Sequence, residues 1–251
     1  MSIRATSHFV LFALAVSCLN ISSAQENFLN QENLQRLQQL IDSPSRSEDQ
    51  RARNQYRHPL QTLDFFDIRP ELTVVEIWPG GPGGWYRSIL QPYIDGNGSY
   101  IAVGEDSGFP NSPTASMADR VLVFRAHGFM IYEKPTQKYY DAIYQMLKPG
   151  GIFGIVDHRG NEAVPQDPEG ENGYVNQSHV IALAKSAGFE LIAQSEINAN
   201  SKDSKDYRDG VYSLPPTLRE SLVGRLINRG SKSEMLEIGE SDRMTLKFIK
   251  P

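Results

Sequence analysis

The chain has 251 residues and a formal net charge of −5 at pH 7, with 39% hydrophobic and 22% charged residues. These values are typical of a globular protein with one large or two small domains, and they argue against nucleic acid or an anionic membrane as a partner. The one cysteine, Cys18, lies in the N-terminal leader, so the sequence predicts no disulfide framework.

Residues 1–24 have the pattern of a secretory signal peptide. Arg4 precedes an apolar run at 9–19, and the small residues Ser22, Ser23 and Ala24 follow as a cleavage site. The run is shorter than a membrane-spanning helix, so we expect no stable membrane insertion of the mature chain. Residues 15–18 loosely resemble a lipoprotein cleavage box, which keeps lipidation of Cys18 open as an alternative. The pattern predicts an exported protein, periplasmic or secreted.

Residues 25–60 are predicted to form an N-terminal helical segment. Leu34, Leu37 and Ile41 recur at helical spacing, and Ser47 is placed to cap a second helix that ends near residues 58–59. Two interpretations of the arginines in this segment stay open: an anion-facing surface, or a solvated helix face with acidic partners. They are Arg46, Arg51, Arg53 and Arg57.

From residue 72 onward, strand and helix patterns alternate. Predicted strands cover residues 72–78, 100–104, 120–125, 152–157 and 190–197, and predicted helices cover 85–93, 136–147 and 175–187, with a turn at 148–151. This alternation predicts an α/β fold with a doubly wound, mostly parallel sheet. A last strand at 244–249 can pair antiparallel. The loop at 198–216 is long and polar, so it is a candidate active-site cover.

The most informative segment is 74–86, in which a β-branched strand carrying Glu76 ends in glycines before a helix. Glycines let the backbone turn sharply and approach a ligand, and a helix start offers free N–H groups. Such a loop is typical of nucleotide-like cofactor sites at the carboxyl edge of a sheet, although glycine-rich turns also occur without a ligand. The glycines are Gly80, Gly81, Gly83 and Gly84.

Several short motifs occur in a specific order. They are SRS at 45–47, EIWPGG at 76–81, LKPGG at 147–151, VDHR at 156–159, AGF at 187–189, SEINAN at 195–200 and ESDRMTLKF at 240–248. This order resembles one exported bacterial branch of the class I S-adenosylmethionine-dependent methyltransferases. The resemblance implies a Rossmann-like methyltransferase fold over residues 61–251, with S-adenosylmethionine (SAM) as cofactor and a small-molecule acceptor. Only about fifteen residues separate the second strand from the next, so we expect the family's third strand to be absent.

The resemblance also implies which residues bind the cofactor. The glycine loop would hold the amino-acid end of SAM, and Glu105, after the second strand, would accept hydrogen bonds from the ribose hydroxyls. Asp106 is the adjacent alternative. The distance of Glu105 from Gly84 would also suit a nicotinamide cofactor, but the glycine run lacks the G-x-G-x-x-G spacing. The predicted cofactor-binding residues are Glu76, Gly80, Gly81, Gly83, Gly84 and Glu105.

Candidate catalytic residues follow two successive strands: His127, and Asp157, His158 and Arg159. Both groups are expected at the same carboxyl edge. Either histidine could act as the base if the acceptor loses a proton, with Asp157 orienting it and Arg159 holding an anionic substrate. The alternative is that Asp-His-Arg ends its strand with an internal ion pair. A metal site that adds His179 or Glu162 matches no known ligand spacing, so none is predicted.

Two functions therefore stay open. The first is an exported SAM-dependent methyltransferase acting on a small molecule. The second is a non-catalytic exported binding protein with a degenerate methyltransferase fold. It predicts a cleft filled by Trp78, Trp85 or residues of the short loop after the second strand.

Overall fold

The computed structural model describes residues 30–81, 83–104, 107–111, 113–125, 128–131, 134–219 and 231–251. The expected signal peptide and two of the predicted site residues, Glu105 and His127, lie outside the described residues.

The described residues alternate strands and helices as the sequence predicted. The strands are β1 Thr73–Ile77, β2 Ser99–Val103, β3 Ala118–Phe124, β4 Leu147–His158, β5 Glu190–Ser195 and β6 Arg243–Ile249. The helices are α1 at 30–41, α2 Glu48–Ala52, α3 Asn54–Arg57, α4 Pro59–Phe65, α5 Arg87–Ile94, α6 Gly128–Ile131, α7 Gln137–Met146, α8 Gln177–Ser186 and α9 Lys232–Ile238, with a 3-10 turn at Gly210–Ser213. None of the helices in these ranges is long and apolar enough to cross a membrane.

The six strands form one sheet in the order β2-β1-β3-β4-β6-β5. Strands β1 to β4 pair in parallel, and β6 runs antiparallel between β4 and β5. The described residues between β2 and β3 contain no strand. The predicted fold class is confirmed as an α/β fold with a doubly wound, mostly parallel sheet and an N-terminal helical extension.

Two local predictions differ from the structure. Ser47 caps a helix as expected, in a capping box with Gln50, but the predicted second helix is divided into α2 and α3, and a further helix, α4, follows its predicted end near residues 58–59. The division between α3 and α4 falls at His58, whose φ of +37° is left-handed, and Pro59 then begins α4. The predicted turn at 148–151 is part of β4, because Gly150 donates a backbone hydrogen bond to Lys250 and Lys250 donates one to Gly151.

Alternate residues of each strand face opposite sides of the sheet, which gives two cores. Val75, Val123 and Ile155 belong to a core that also contains residues of α6, α7 and α8. Leu122 and Val156 belong to the other core, with residues of α1, α4 and α5. The N-terminal helices therefore cover the sheet face on which Glu76 and His158 lie.

Candidate functional site

The glycine loop and the Asp157–Arg159 segment meet at one edge of the sheet. Ile77 of β1 pairs with Val123 of β3, and Val123 pairs with Ile155 of β4, so the carboxyl ends of the three strands lie side by side. The chain leaves β1 toward β2 on one side, whereas β3 lies on the other. This reversal is a topological switch point, where open α/β sheets form a crevice.

The glycine loop is tight on one side and open on the other. Gly84 donates a backbone hydrogen bond to Gly81 at 2.8 Å, and Gly80 has a φ of +80°. A Cβ on Gly84 would lie 2.1 Å from the carbonyl oxygen of Pro79, whereas a Cβ on Gly81 or Gly83 would meet no heavy atom within 4 Å. A ligand backbone or carboxylate therefore has room beside Gly81 and Gly83.

The N-terminal extension fixes this loop. The Gln50 side-chain amide donates to the carbonyl oxygen of Gly83 at 3.0 Å, and the Trp85 indole N–H donates to the Gln50 carbonyl at 2.8 Å. Gln50 is not among the site residues predicted from the sequence. Its position three residues after Ser47 indicates a capping box. Its hydrogen bond to the glycine loop could not be predicted, because it depends on the packing of α2 against that loop.

Glu76 is buried near the end of β1, with 2% of its surface exposed. The Tyr100 hydroxyl donates to Glu76 Oε2 at 2.6 Å. Burial raises the pKa of Glu76 to about 7, although Tyr100, Arg87 and Arg125 act in the opposite direction. Glu76 Oε2 is thus held by the hydroxyl of Tyr100 on the neighbouring strand. The predicted role of Glu76 toward a cofactor stays a prediction.

We expect Glu76→Gln to stabilise the protein above neutral pH. A pKa raised from 4.5 to about 7 means that folding favours the protonated acid, so stability is full below pH 4.5 and falls as pH rises through 7. The shift corresponds to a loss of about 3 kcal/mol in the free energy of unfolding at pH 8. The variant should recover this loss, because its side chain is uncharged and still offers an oxygen acceptor to the Tyr100 hydroxyl. Urea unfolding at pH 4 and pH 8 measures this, with exposed Glu71→Gln as control. Equal stability of both variants at pH 8 would contradict it.

His158 and Asp157 lie at the end of β4 with their side chains on opposite faces of the sheet. His158 is 8% exposed, and its Nδ1 lies 2.5 Å from the Ser241 hydroxyl oxygen. Its backbone N–H donates to Asp157 Oδ1 at 2.8 Å, and Asp157 is fully buried. The structure therefore places both residues at the predicted edge and adds Ser241, which the sequence analysis missed.

Arg159 is held by two carboxylates. Its Nε and Nη2 donate to Asp242 at 3.0 and 2.8 Å, and its Nη1 and Nη2 donate to Glu196 at 2.7 and 2.6 Å. Hydrogen bonds from Arg159 to Glu196 and Asp242 raise the pKa of its guanidinium. The carboxylate partners of Arg159 lie outside the Asp-His-Arg motif, so the predicted internal ion pair is not the one that forms, and a substrate anion would have to displace Asp242 or Glu196.

Aromatic side chains fill the space on the α6 and α7 side of the loop. Trp78 contacts Phe129 and Tyr139 edge-on, with ring centroids 5.0 and 5.6 Å apart. Phe129 and Tyr139 stack at 4.4 Å, and Phe109 lies 5.8 Å from Tyr139. Trp78 and Phe109 thus lie where the binding-protein alternative predicts filling residues, whereas Trp85 packs on the opposite face. The space beside Gly81 and Gly83 stays open, so the predicted role of the glycine loop toward the amino-acid end of SAM is compatible with the described residues and stays a prediction.

The loop at 198–216 frames the site from the β6 side. Asn198 is buried and donates to the hydroxyl oxygens of Thr62 and Thr245, both at 3.0 Å. Asp203 accepts hydrogen bonds from the Tyr174 hydroxyl and the Asp242 backbone N–H. The first part of the predicted cover is therefore fixed against the sheet.

Glu162, considered with the histidines as a metal ligand, accepts hydrogen bonds at the start of α8. Its carboxylate receives the backbone N–H of Ser178 at 3.0 Å and the Ser178 hydroxyl at 2.6 Å. Within the described ranges, no group of three or more His, Cys, Asp or Glu residues is arranged to hold a metal ion.

The arginines of the N-terminal segment are not a solvated face. Arg46 is 1% exposed and donates to Ser88, Asn54 and the Ile41 carbonyl. Arg53 and Arg57 both bind Glu240, which also binds Arg243. Arg46 and Arg57 lie over the Trp85 ring, with guanidinium carbons 4.8 and 4.7 Å from its centroid. These long-range contacts could not be read from local spacing.

No protein-family model and no curated protein matches the chain. Among solved structures, the cyclase SpnF aligns with 78% of this chain and 81% of its own, at 11% identity and a TM-score of 0.47. A SAM-dependent methyltransferase from Aquifex aeolicus aligns over 66% and 93%, at 15% identity and 0.47. Phosphoethanolamine N-methyltransferase 2 of Haemonchus contortus, in complex with S-adenosyl-L-methionine, aligns over 78% and 53%, at 16% identity and 0.45. These values assign no residue role or activity to this chain.

Proposed function

We propose that this chain is an exported SAM-dependent methyltransferase that acts on a small molecule. The observation that carries the proposal is the position of the glycine loop, which lies at the switch point between β1 and β3 with open space beside Gly81 and Gly83. The sequence resemblance supports the choice of cofactor, and the signal-like residues 1–24 support export.

Each residue has a defined task under this proposal. SAM, when bound, supplies an electrophilic methyl group. Gly81 and Gly83 hold its amino-acid end, and Glu105 binds its ribose, as the sequence predicts. His158 is the first base predicted from the sequence, and the tautomer in which its Nδ1 donates to the Ser241 hydroxyl would make Nε2 the basic ring nitrogen. His127 is the second base predicted from the sequence.

The second candidate function is a non-catalytic exported binding protein with a degenerate cleft. The packing of Trp78 and Phe109 against Phe129 and Tyr139 favours it, because these rings fill space beside the glycine loop. This alternative predicts no affinity for SAM.

Calorimetric titration of SAM and of its demethylated product into the purified protein tests the proposal. We expect a micromolar dissociation constant that rises at least tenfold in Glu105→Ala, because the ribose hydroxyls lose a carboxylate acceptor worth about 1.4 kcal/mol or more. Glu71→Ala removes an exposed acid and should leave binding unchanged. No heat and no thermal shift at millimolar ligand would overturn the methyltransferase and leave the binding protein.

A further inference from the structure

Three arginines share one buried carboxylate on the sheet face covered by the N-terminal helices. Glu240 is 2% exposed and binds Arg53 Nε at 2.5 Å, Arg57 Nε at 3.0 Å and Arg243 Nη2. Over the described ranges, Glu240 is the only carboxylate within ion-pair distance of these three side chains. The cluster therefore carries an excess of two positive charges in a poorly solvated place.

The guanidinium groups of Arg53 and Arg57 bind Glu240 through one nitrogen each. Both bind Glu240 through Nε, and no carboxylate among the described residues binds their Nη groups. The side chains of Arg53 and Arg57 are 24% and 12% exposed, so part of each group reaches solvent. An arginine fork of this kind matches the two oxygens of a carboxylate or a phosphate.

The cluster contacts the residue that follows the glycine loop, and one of its arginines pairs with His158 in the sheet. The guanidinium of Arg57 is 4.7 Å from the centroid of Trp85, which directly follows Gly84. On the other side, Arg243 pairs with His158 across the β4–β6 ladder. A molecule bound at the arginines would thus lie beside both the predicted cofactor loop and the candidate base.

Arg159, the arginine that the sequence suggested for an anionic substrate, lies in a charge-balanced group. It is bound by Asp242 and Glu196, and Asp242 also binds Lys205, so two cations face two carboxylates. An added anion would therefore find no excess positive charge at Arg159, whereas the three clustered arginines share Glu240 alone.

We propose that Arg53, Arg57 and Arg243 form a binding site for an anionic group, a carboxylate or a phosphate, of the methyl acceptor. The identification of the ligand as the acceptor rests on the proposed function, whereas the anion site itself does not. Burial and the neighbouring Arg243 lower the pKa of Arg57 to about 9, which an added anion would reverse.

The protein contains an internal reporter for this site. It has two tryptophans, and the guanidinium carbons of Arg46 and Arg57 lie 4.8 and 4.7 Å from the centroid of the Trp85 ring. Trp78→Phe leaves Trp85 as the single tryptophan and keeps an aromatic ring beside Phe129. Inorganic phosphate and acetate are titrated separately into this full-length protein at constant ionic strength, and both Trp85 emission and thermal unfolding are followed.

We expect saturable changes in both signals, and the anion that binds more tightly identifies the headgroup. Arg53→Gln should weaken its affinity at least fivefold, while Arg69→Gln, which removes an exposed arginine paired with Glu71, should change nothing. If Arg53→Gln does not fold, Arg53→Lys is used. It keeps the charge but lacks the fork, and should weaken binding at least twofold.

Absence of saturation, or equal affinity in the Arg53 and Arg69 variants, would overturn the anion site. Because these titrations contain no SAM, they are independent of the cofactor test. Anion binding in a protein that binds no SAM would overturn the acceptor assignment. SAM binding without anion binding would overturn this inference and leave the proposed function in place.

Discussion

Glu240→Gln is expected to lower the free energy of unfolding by about 3–5 kcal/mol at pH 7, because it leaves the buried Arg243 and the partly buried Arg53 and Arg57 without a counter-charge. Burial alone would raise the pKa of Glu240, but Arg243, Arg57 and Arg53 outweigh it and lower the pKa to about 2. Urea unfolding of the wild type and the variant measures the difference.

The pH dependence of this effect has a defined sign. A carboxyl pKa lowered from 4.5 to about 2 gives stability that is full above pH 4.5 and is lost as pH falls through 2. The shift corresponds to about 3 kcal/mol at pH 7, of which about 1.4 kcal/mol remains at pH 3. The gap between wild type and Glu240→Gln should therefore shrink on acidification.

Glu237→Gln is the matched control, because Glu237 is an exposed acid on α9, three residues away. It should change the free energy of unfolding by less than about 0.5 kcal/mol. A Glu240→Gln protein as stable as this control would show that the arginine cluster does not depend on its carboxylate. Phosphate should stabilise Glu240→Gln more than the wild type if the anion site exists.

Gly84→Ala is expected to distort the glycine loop and to weaken SAM binding at least tenfold. The added Cβ would lie 2.1 Å from the carbonyl oxygen of Pro79, a backbone atom that cannot move without moving the loop. Overpacking of this kind costs about 1–3 kcal/mol of stability. Calorimetric titration of SAM and urea unfolding measure the two effects.

Gly81→Ala tests the open surface of the glycine loop without changing the conformation of the loop. Its Cβ would meet no heavy atom within 4 Å, so stability should stay within about 0.5 kcal/mol of the wild type. The methyl group would project into the space proposed for the cofactor, and SAM affinity should still fall. Unchanged SAM affinity in both glycine variants would place the cofactor elsewhere.

Local signals in the sequence determined most of the fold. Alternating apolar strands and amphipathic helices are short-range patterns, so five of the six strands, the helices α5, α7 and α8, and the Ser47 cap lie within two residues of their predicted positions, whereas β4 begins five residues before its predicted start. The order of elements, together with the antiparallel last strand, also identified the carboxyl edge at which the glycine loop and Asp157–Arg159 meet.

The partners of the charged side chains were decided only by the tertiary structure. Glu240 binds Arg53 and Arg57 across more than 180 positions of sequence, and Arg159 binds Asp242 across 83. Such pairs leave no periodic pattern, because they form only when the N-terminal helices pack on the sheet. The sequence by itself thus determined which elements form and which edge carries the site. The packing of distant segments decided which of its charges are neutralised, since Coulomb energy depends on distance in space and not along the chain.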